Sequence, residues 1–377
     1  MAMPRDEEDR RFMAQALRLA ARGLGNVWPN PAVGCVVVRD GRVLGRGWTQ
    51  AGGRPHAETE ALRRAGGAAL GATAYITFEP CAHYGRTPPC TMALLHAGIR
   101  RVVVATADPD PRVDGQGLAQ LRQAGVEVRA GVLEAEAEAL NAGFIQRIRT
   151  GRPLVTLKLA TSLDGRIATR AGASRWITAG RARIEAHRLR ATHDAILIGS
   201  GTALADDPSL TCRLPGLEHR SPLRVVVDRR LRLPATAALV RSAGGVPVLV
   251  VAGPDADPER ARALEAAGVE VVRLEGGAPA APLEELGRRG VTRVLVEGGA
   301  TLAASLLRTR LVDRLIWFTA PLLIGADGLP AVGSLGVDAL AEAHRLRQAG
   351  ARTLAPDRMQ GYILEASRAA GPCSPES

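Results

Sequence analysis

The sequence predicts an α/β protein built from two successive units, and three observations carry the prediction. At 377 residues the chain is longer than one domain ordinarily is. Short runs rich in Val, Ile and Leu alternate with segments of helical periodicity along nearly its whole length, the pattern of sheets layered with helices. No stretch recurs at a fixed period, so the halves are not copies and are expected to do different jobs. The expected boundaries are 1–148 for the first domain, 149–368 for the second and 369–377 for a disordered tail.

The first half opens on Met13, Ala16, Leu17, Ala20 and Leu24 at helical spacing, with Asp6, Glu7 and Glu8 at the start, where acids suit the helix dipole. "VGCVVVRDGRVLGRGW" (33–48) then holds two apolar runs joined by Asp40-Gly41, a strong two-residue hairpin signal. After it come "PHAETEALRRAG" (helix), "ATAYITFEP" (strand), "CTMALLHAG" (helix), "RRVVVATAD" (strand), "GLAQLRQAG" (helix) and "VEVRAG" (strand). "NAGFIQRIRTGRP" (141–153) reads as the joint, with a turn at Gly151-Arg152-Pro153. The second series runs through "LVTLKLATSLDG", "HDAILIGSGTALADDP", "LRVVVD", "VPVLVVAG", "VEVVRL", "TRVLVEGG", "DRLIWFTA" and "MQGYILEA". Helical segments such as 257–267 and 300–308 separate several of these strands.

Composition narrows the function classes. With 46% hydrophobic and 23% charged residues the chain is an ordinary soluble globular protein. The first dozen residues hold no apolar h-region, and runs such as "VPVLVVA" fall far short of the ~20 residues that span a bilayer. A cytoplasmic protein with no membrane partner is expected. A net charge of +11 suits nucleic acid or phosphorylated small molecules. The basic residues form no block of five, and 3% aromatics leave little to stack on bases. Nucleic acid is therefore not the expected partner. Lys158 is the only lysine in a strongly arginine-biased chain.

Five cysteines, an odd and sparse set, are poor material for a disulfide framework in a reducing compartment. Cys35 alternates with Val33 and Val37 and reads as a core thiol; Cys212 has no obvious partner, and Cys373 lies in the tail. Cys81 and Cys90 differ. "PHAETEAL" supplies His56 and Glu58, and "EPCAHYGRTPPC" follows with both cysteines. A His-x-Glu followed by Pro-Cys and a second Cys is the zinc-deaminase signature. One imidazole and two thiolates hold a borderline-soft Zn²⁺ and leave its fourth position to water. The metal acidifies that water toward a pKa of ~7, and Glu58 is expected to shuttle the proton as the catalytic acid–base. The competing reading is a closed structural clip with His83 or Cys35 as fourth ligand, in which Glu58 would have no purpose. Eight residues separate the cysteines, where simple deaminases have two. That insertion should bulge over the pocket, and its Arg86 could meet an anionic group.

The eight-residue spacing, together with "NPAVGCVVV", resembles the deaminase domain of the bifunctional riboflavin-biosynthesis deaminase–reductases. The resemblance implies a cytidine-deaminase-like α/β/α fold and a diaminopyrimidinone substrate carrying ribose 5-phosphate on an exocyclic amine. Asn30 would face the pyrimidine. "DPDPRVDGQG" (108–117) is similar to the family's turn after the next strand, and would shape the phosphate end.

In the second half "TRVLVEGGATLAASLL" is a strand, a Glu-Gly-Gly turn and a helix. Such a turn can bring backbone amides and a helix N-terminus to a phosphate, but it lacks the G-x-G-x-x-G fingerprint of a Rossmann site. "LKLATSLDGRIAT", "SRWIT", "DAILIGSGTALADDPSLTCR" and "VEGGATL" are similar, in order, to the reductase domain of the same family, so the resemblance covers roughly 10–365. It implies a dihydrofolate-reductase-like fold using NADPH. Cofactor contacts would come from Ala160, Trp176, Thr202, Asp206, Arg229 and the run Gly299, Ala300, Thr301, Leu302, Ala303, Ala304 and Ser305. Ser174, Arg190, Leu210, Arg213 and Glu297 would hold substrate.

Arg190 and Arg213 can offer a phosphate the fork geometry it needs; the plainer reading of each is a solvated charge. Trp176 reads either as a cofactor wall or as core, and Asp206-Asp207-Pro208 either as a contact or as a capped turn. Lys158 alternates with Thr156 and Ala160, opposite Leu157 and Leu159; a lysine pointing into a site could steady ribose hydroxyls or a developing charge, and the plainer reading is a lone edge lysine. Glu297 and Asp206 are candidate proton donors.

The expected function is thus two consecutive steps of riboflavin biosynthesis: zinc-dependent deamination of the phosphoribosylated diaminopyrimidinone, then NADPH-dependent reduction of the ribosyl chain to the ribityl form. The chain is expected to act as a homo-oligomer. Two rivals predict other behaviour. A nucleoside or tRNA-adenosine deaminase fused to an unrelated reductase would act on cytidine or RNA. A zinc-stabilised nucleic-acid module would release no ammonia.

Overall fold

The computed structural model describes residues 4–85, 87–110 and 113–365. Arg86, the Pro111-Arg112 pair inside the 108–117 turn, and the expected tail with Cys373 lie outside the described residues.

The first half begins with α1 (Arg5–Ala20), its acids in the first turn and Phe12, Met13, Ala16 and Leu19 buried along one face. The helical spacing extends in sequence to Leu24, but the helix stops at Ala20 and tightens into a short 3₁₀ turn, Ala21–Gly23. Next come β1 (Gly34–Arg39) and β2 (Arg42–Trp48), joined by Asp40 and Gly41 at φ 52° and 70°, the left-handed pair that a two-residue hairpin turn demands. Then follow α2 (Ala57–Ala65), β3 (Thr73–Ile76), α3 (Cys90–His96), β4 (Arg101–Val104), α4 (Gln116–Gln123), β5 (Glu127–Arg129) and α5 (Glu134–Thr150). The sheet order is β2-β1-β3-β4-β5, antiparallel through β2-β1-β3 and parallel through β3-β4-β5.

Each face of this sheet carries its own apolar cluster. Phe12, Met13, Val36, Tyr75 and Val103 fill the α1 side. Cys35, Ala57, Ile76, Leu94, Val102 and Leu121 fill the side covered by α2, α3 and α4. Cys35 is fully buried there, as its strand pattern predicts. A side chain at Gly47 would collide with the Ala57 carbonyl, so this glycine lets the start of α2 press against the sheet.

The 141–153 stretch is mostly helix. α5 runs unbroken to Thr150, burying Asn141, Phe144 and Ile145, and the chain turns at Gly151 with φ 76°. The 148/149 seam therefore falls in the last turn of α5.

The second half contains β6 (Leu154–Thr161), β7 (Arg166–Ala168), α6 (Gly180–Ala191), β8 (Ala195–Gly199), α7 (Ser200–Asp206), β9 (Leu223–Val227), α8 (Ala238–Arg241), β10 (Val248–Ala252) and α9 (Pro258–Ala266). It continues with β11 (Glu270–Arg273), α10 (Ala281–Arg288), β12 (Arg293–Val296), α11 (Ala300–Arg308), β13 (Arg314–Thr319), β14 (Leu329–Pro330), β15 (Leu346–Leu354) and β16 (Asp357–Leu364). Nine strands form one sheet in the order β11-β10-β9-β8-β12-β6-β13-β16-β15, with β7 and β14 paired separately. The sheet is parallel from β11 to β13, and β16 and β15 are antiparallel. β15 escapes the sequence reading because "LRQAGARTL" shows no apolar alternation; eight of its nine residues are exposed, and pairing with β16 alone makes it a strand. Among the described residues no helix is long and apolar enough to cross a membrane.

Candidate active sites

In the first half, His56 is the residue that caps α2, Cys90 is the first residue of α3, and Cys81 follows the buried run after β3. His56 Nδ1 lies 3.3 Å from Cys90 Sγ and 3.8 Å from Cys81 Sγ. The three ligand atoms lie within 4.8 Å of one another, and among the described residues neither His83 nor Cys35 joins the group. The Cys90 N–H donates to Cys81 Sγ at 3.3 Å. Hydrogen bonding from Cys90 and His56, opposed by burial, pulls the Cys81 thiol down to about 4, so a thiolate forms readily. Two thiols and one imidazole, with no fourth protein ligand among the described residues, fit an open catalytic zinc site better than a closed clip.

Glu58 is 3% exposed and lines the same cavity of ≈ 250 Å³ as His56 and Cys81. Burial raises its carboxyl above the usual range, and the nearby His56 charge opposes that.

Asn30 lines this cavity too, its Nδ2 donating to the Gly53 carbonyl at 3.3 Å. Asp108, Asp110 and Val113 of the 108–117 stretch line one side. Glu79 anchors that stretch, accepting from the backbone N–H groups of Asp108 (3.2 Å), Gly115 (3.0 Å) and Gly117 (3.0 Å). Burial pushes the Asp108 carboxyl up to about 6. Sequence reasoning missed Arg54 and Glu79 as members of this pocket, whereas Asp108 belongs to the 108–117 stretch expected to shape it. Arg54 lies two residues before His56 and donates to Thr87 Oγ1 at 2.5 Å, a cation whose closeness to the motif was the available signal.

The second site is a cleft at the carboxyl ends of β6, β8 and β12, where ligands bind in open α/β sheets. It has two adjoining cavities of ≈ 490 Å³ and ≈ 570 Å³. Both are lined by Lys158, Ala160, Ser174, Thr202, Asp206 and Glu297. Trp176, Arg190, Leu210 and Arg213 line only the first cavity; Gly299, Ala300, Thr301 and Leu302 line only the second.

Glu297, just past β12, is the electrostatic centre. Arg190 donates to it through Nε at 2.8 Å and Nη2 at 3.0 Å, and Lys158 Nζ lies 3.6 Å away. Burial alone would raise the Glu297 carboxyl, but the Arg190 and Lys158 charges outweigh it and hold the group at about 2. Arg190 spends its fork on Glu297 and its remaining amine on the Thr211 carbonyl at 3.0 Å, so the fork expected to meet a phosphate is already engaged. Arg213 is exposed, lines the cleft and donates to Ser209 Oγ at 2.8 Å. His187, missed in the sequence, lies one helical turn before Arg190; burial and the Arg190 charge push it down to about 4.

Trp176 is 66% exposed with the Arg183 guanidinium 4.6 Å from its ring, so it is not core. Asp207 accepts from the Ala238 N–H at 2.7 Å, a capping contact, and both Asp206 and Asp207 line the cleft. Thr202 Oγ1 accepts from the Gly299 N–H at 3.1 Å, next to the start of α11. Within the 299–305 run, Ala303 and Ala304 are 0% and 2% exposed, with Ala303 packed in the sheet core; helix periodicity turns both side chains from the cleft. Arg229 and Ser305 line a separate apolar pocket of ≈ 140 Å³ that shares Leu302 with the cleft.

Residues 6–106 match the cytidine and deoxycytidylate deaminase zinc-binding region, and residues 153–359 match the RibD C-terminal domain. The riboflavin biosynthesis protein RibD of Escherichia coli is 43% identical over 93% of this chain and 98% of its own. That of Aquifex aeolicus is 41% identical over 93% and 97%. Among solved structures, Acinetobacter baumannii RibD superposes with a TM-score of 0.87 at 39% identity, covering 96% of this chain and 100% of that one. A Thermotoga maritima protein described as a diaminohydroxyphosphoribosylaminopyrimidine deaminase/5-amino-6-(5-phosphoribosylamino)uracil reductase gives a TM-score of 0.86 at 34% identity, with the same coverage.

Proposed function

The chain belongs to the RibD family of riboflavin-biosynthesis deaminase–reductases, and from that premise we propose that His56, Cys81 and Cys90 hold the zinc of its deaminase site and that the second cleft takes NADPH. The near-full-length identity to RibD sets aside both a fusion to an unrelated reductase and a nucleic-acid module. The observation that carries the site assignment is the three-donor cluster with Glu58 buried in the same cavity and no fourth ligand among the described residues.

When bound, zinc supplies Lewis-acid activation of the attacking water. Glu58 takes one proton from that water and passes it to the ring nitrogen as hydroxide adds to the carbon; it then moves the remaining hydroxyl proton to the amine, which departs as ammonia as the carbonyl forms. Asn30 holds the pyrimidine edge, and Arg54, which lines the cavity together with Arg147, suits the ribose phosphate.

In the second cleft the Gly298-Gly299 turn and the α11 N-terminus suit the cofactor's phosphates. When bound, NADPH supplies the hydride for C1 of the opened ribose. Lys158, held by Glu297, steadies the ribose hydroxyls, and Arg213 serves the substrate phosphate. Trp176, Ser174 and Leu210 wall the substrate side; Ala160, Thr202 and Asp206 stand where the two ligands meet.

The reading places the enzyme in the cytoplasm, which suits the free thiols of Cys35, Cys81, Cys90 and Cys212. It also includes a homo-oligomer, supported by β15, an exposed edge strand that a second copy can cover; a single-chain mass by light scattering would remove that part.

Incubation with the phosphoribosylated diaminopyrimidinone tests the whole. Ammonia release is expected without NADPH, and NADPH oxidation only after deamination. Oxidation preceding ammonia release would reverse the order. Removing the metal with a chelator is expected to stop ammonia release while NADPH oxidation on the deaminated intermediate continues, and added zinc restores the first step. Chelation that stops both steps equally would place the metal elsewhere.

A further inference from the structure

Residues 22–31 carry Asn30 into the deaminase cavity, and the second half of the chain grips them at several points. Arg220 Nη2 donates to the carbonyls of Arg22 at 2.5 Å and Leu24 at 3.1 Å. Gly25, at φ +77°, lies flat on the backbone after α6: a Cβ there would sit 2.7 Å from the Ala191 carbonyl oxygen and 2.9 Å from the His193 nitrogen. Trp28 packs against the core of the nine-stranded sheet. Pro29 rests on Gly290, where an added Cβ would come within 2.6 Å of the Pro29 Cβ.

On its other side the same segment braces the metal site. The Asn26 carbonyl accepts from the Gly52 N–H at 2.8 Å, and Asn30 Nδ2 donates to the Gly53 carbonyl at 3.3 Å. A side chain at Gly53 would overlap Asn30. Gly53 is three residues from His56. Asn141 of α5 closes the end of the segment, exchanging hydrogen bonds of 2.9 Å and 3.0 Å with the Ala32 backbone.

A stretch with little regular structure must lose much conformational freedom to hold a substrate contact in place. Here the ordering contacts come largely from the second sheet's side. We propose that the reductase half is a positioning element for deamination: through Arg220 and Gly290 it sets the 22–31 segment, and with it Asn30 and the turn that leads to His56. The inference rests on the deaminase assignment above. The influence runs one way, because Gly290 precedes β12 and lies at the opposite end of that strand from Glu297 and the reductive cleft.

The test uses the full-length zinc enzyme with Gly290→Ala, Arg220→Ala and Arg220→Lys, each assayed separately for ammonia release and for NADPH oxidation on the deaminated intermediate. Gly290→Ala and Arg220→Ala are expected to lower deaminase kcat/KM by about 10- to 100-fold, chiefly through KM, with zinc content per chain unchanged. Reductase kcat/KM stays within about twofold, and Arg220→Lys, which can still donate to the Arg22 carbonyl, recovers most of the loss. Unchanged deamination in both alanine variants, or deamination and reduction falling together with Tm, overturns the proposal. If Gly290→Ala does not accumulate as folded protein, the two Arg220 variants decide it alone. A wild-type enzyme that released no ammonia would instead count against the deaminase assignment.

Discussion

Glu58→Gln is expected to lose ammonia release by about 10²- to 10⁴-fold while oxidising NADPH at the wild-type rate on the deaminated intermediate. Gln matches the shape of Glu, so the cavity wall and the neighbouring donors stay in place, but an amide cannot carry a proton from water to the leaving amine. The carboxyl is buried in the cavity that His56 and Cys81 line, and bulk solvent cannot readily replace it. Zinc content should be unchanged, since Glu58 is not one of the clustered donors. Coupled measurement of ammonia and of NADPH absorbance on one preparation checks the result, because the second site serves as the internal control. A Gln variant that kept its ammonia release would mean that another group moves the proton.

The second large effect belongs to Glu297. Glu297→Ala leaves Arg190 and Lys158 facing one another with their shared counter-charge gone. Breaking a buried pair by removing one partner costs on the order of 3–5 kcal/mol, so a clear fall in Tm is expected. NADPH oxidation should drop by about 100-fold or more, as a positioned group lost near the reacting atoms commonly costs. Ammonia release should persist at temperatures where the chain remains folded.

The same group gives a pH signature. Its folded-state pKa, about 2, lies below the ordinary value of 4.5. The stabilisation is therefore present above about 4.5 and is lost as pH falls from there toward 2. The stability gap between wild type and Glu297→Gln should narrow on acidification through that window, as followed by denaturant titration at each pH. A gap that widened toward low pH would mean that Glu297 is not held ionised by Arg190 and Lys158.

What was readable without coordinates follows from the range over which each signal acts. The hairpin at Asp40-Gly41 is a two-residue conformational requirement, and it appears as expected. Lys158 leaves the core on the face opposite Leu157 and Leu159 because a strand alternates strictly. Ala303 and Ala304 illustrate the limit of a contiguous motif: both fall inside the expected 299–305 run, but a helix turns every third or fourth side chain inward, and both are buried, Ala303 in the sheet core. Arg190 illustrates a second limit. It lines the cleft, yet its fork is satisfied by a carboxylate 107 residues away, which no local pattern reports. β15 had no pattern at all, since an edge strand paired on one side and exposed over most of its length does not need apolar alternation.

By itself the sequence determined the chemistry: one imidazole, two thiols and a non-ligand carboxylate at spacings that only a few site types use, and the order of two α/β units around them. Those are properties of residue type and short separation, set by metal–ligand preference and backbone periodicity. The tertiary structure alone decided which charges pair, which motif residues face a cavity, and that residues 22–31 of the deaminase half are gripped by Arg220 and Gly290 of the other. Such contacts arise from packing between segments far apart in the chain, as where Pro29 lands on Gly290, a glycine that its positive φ already favours.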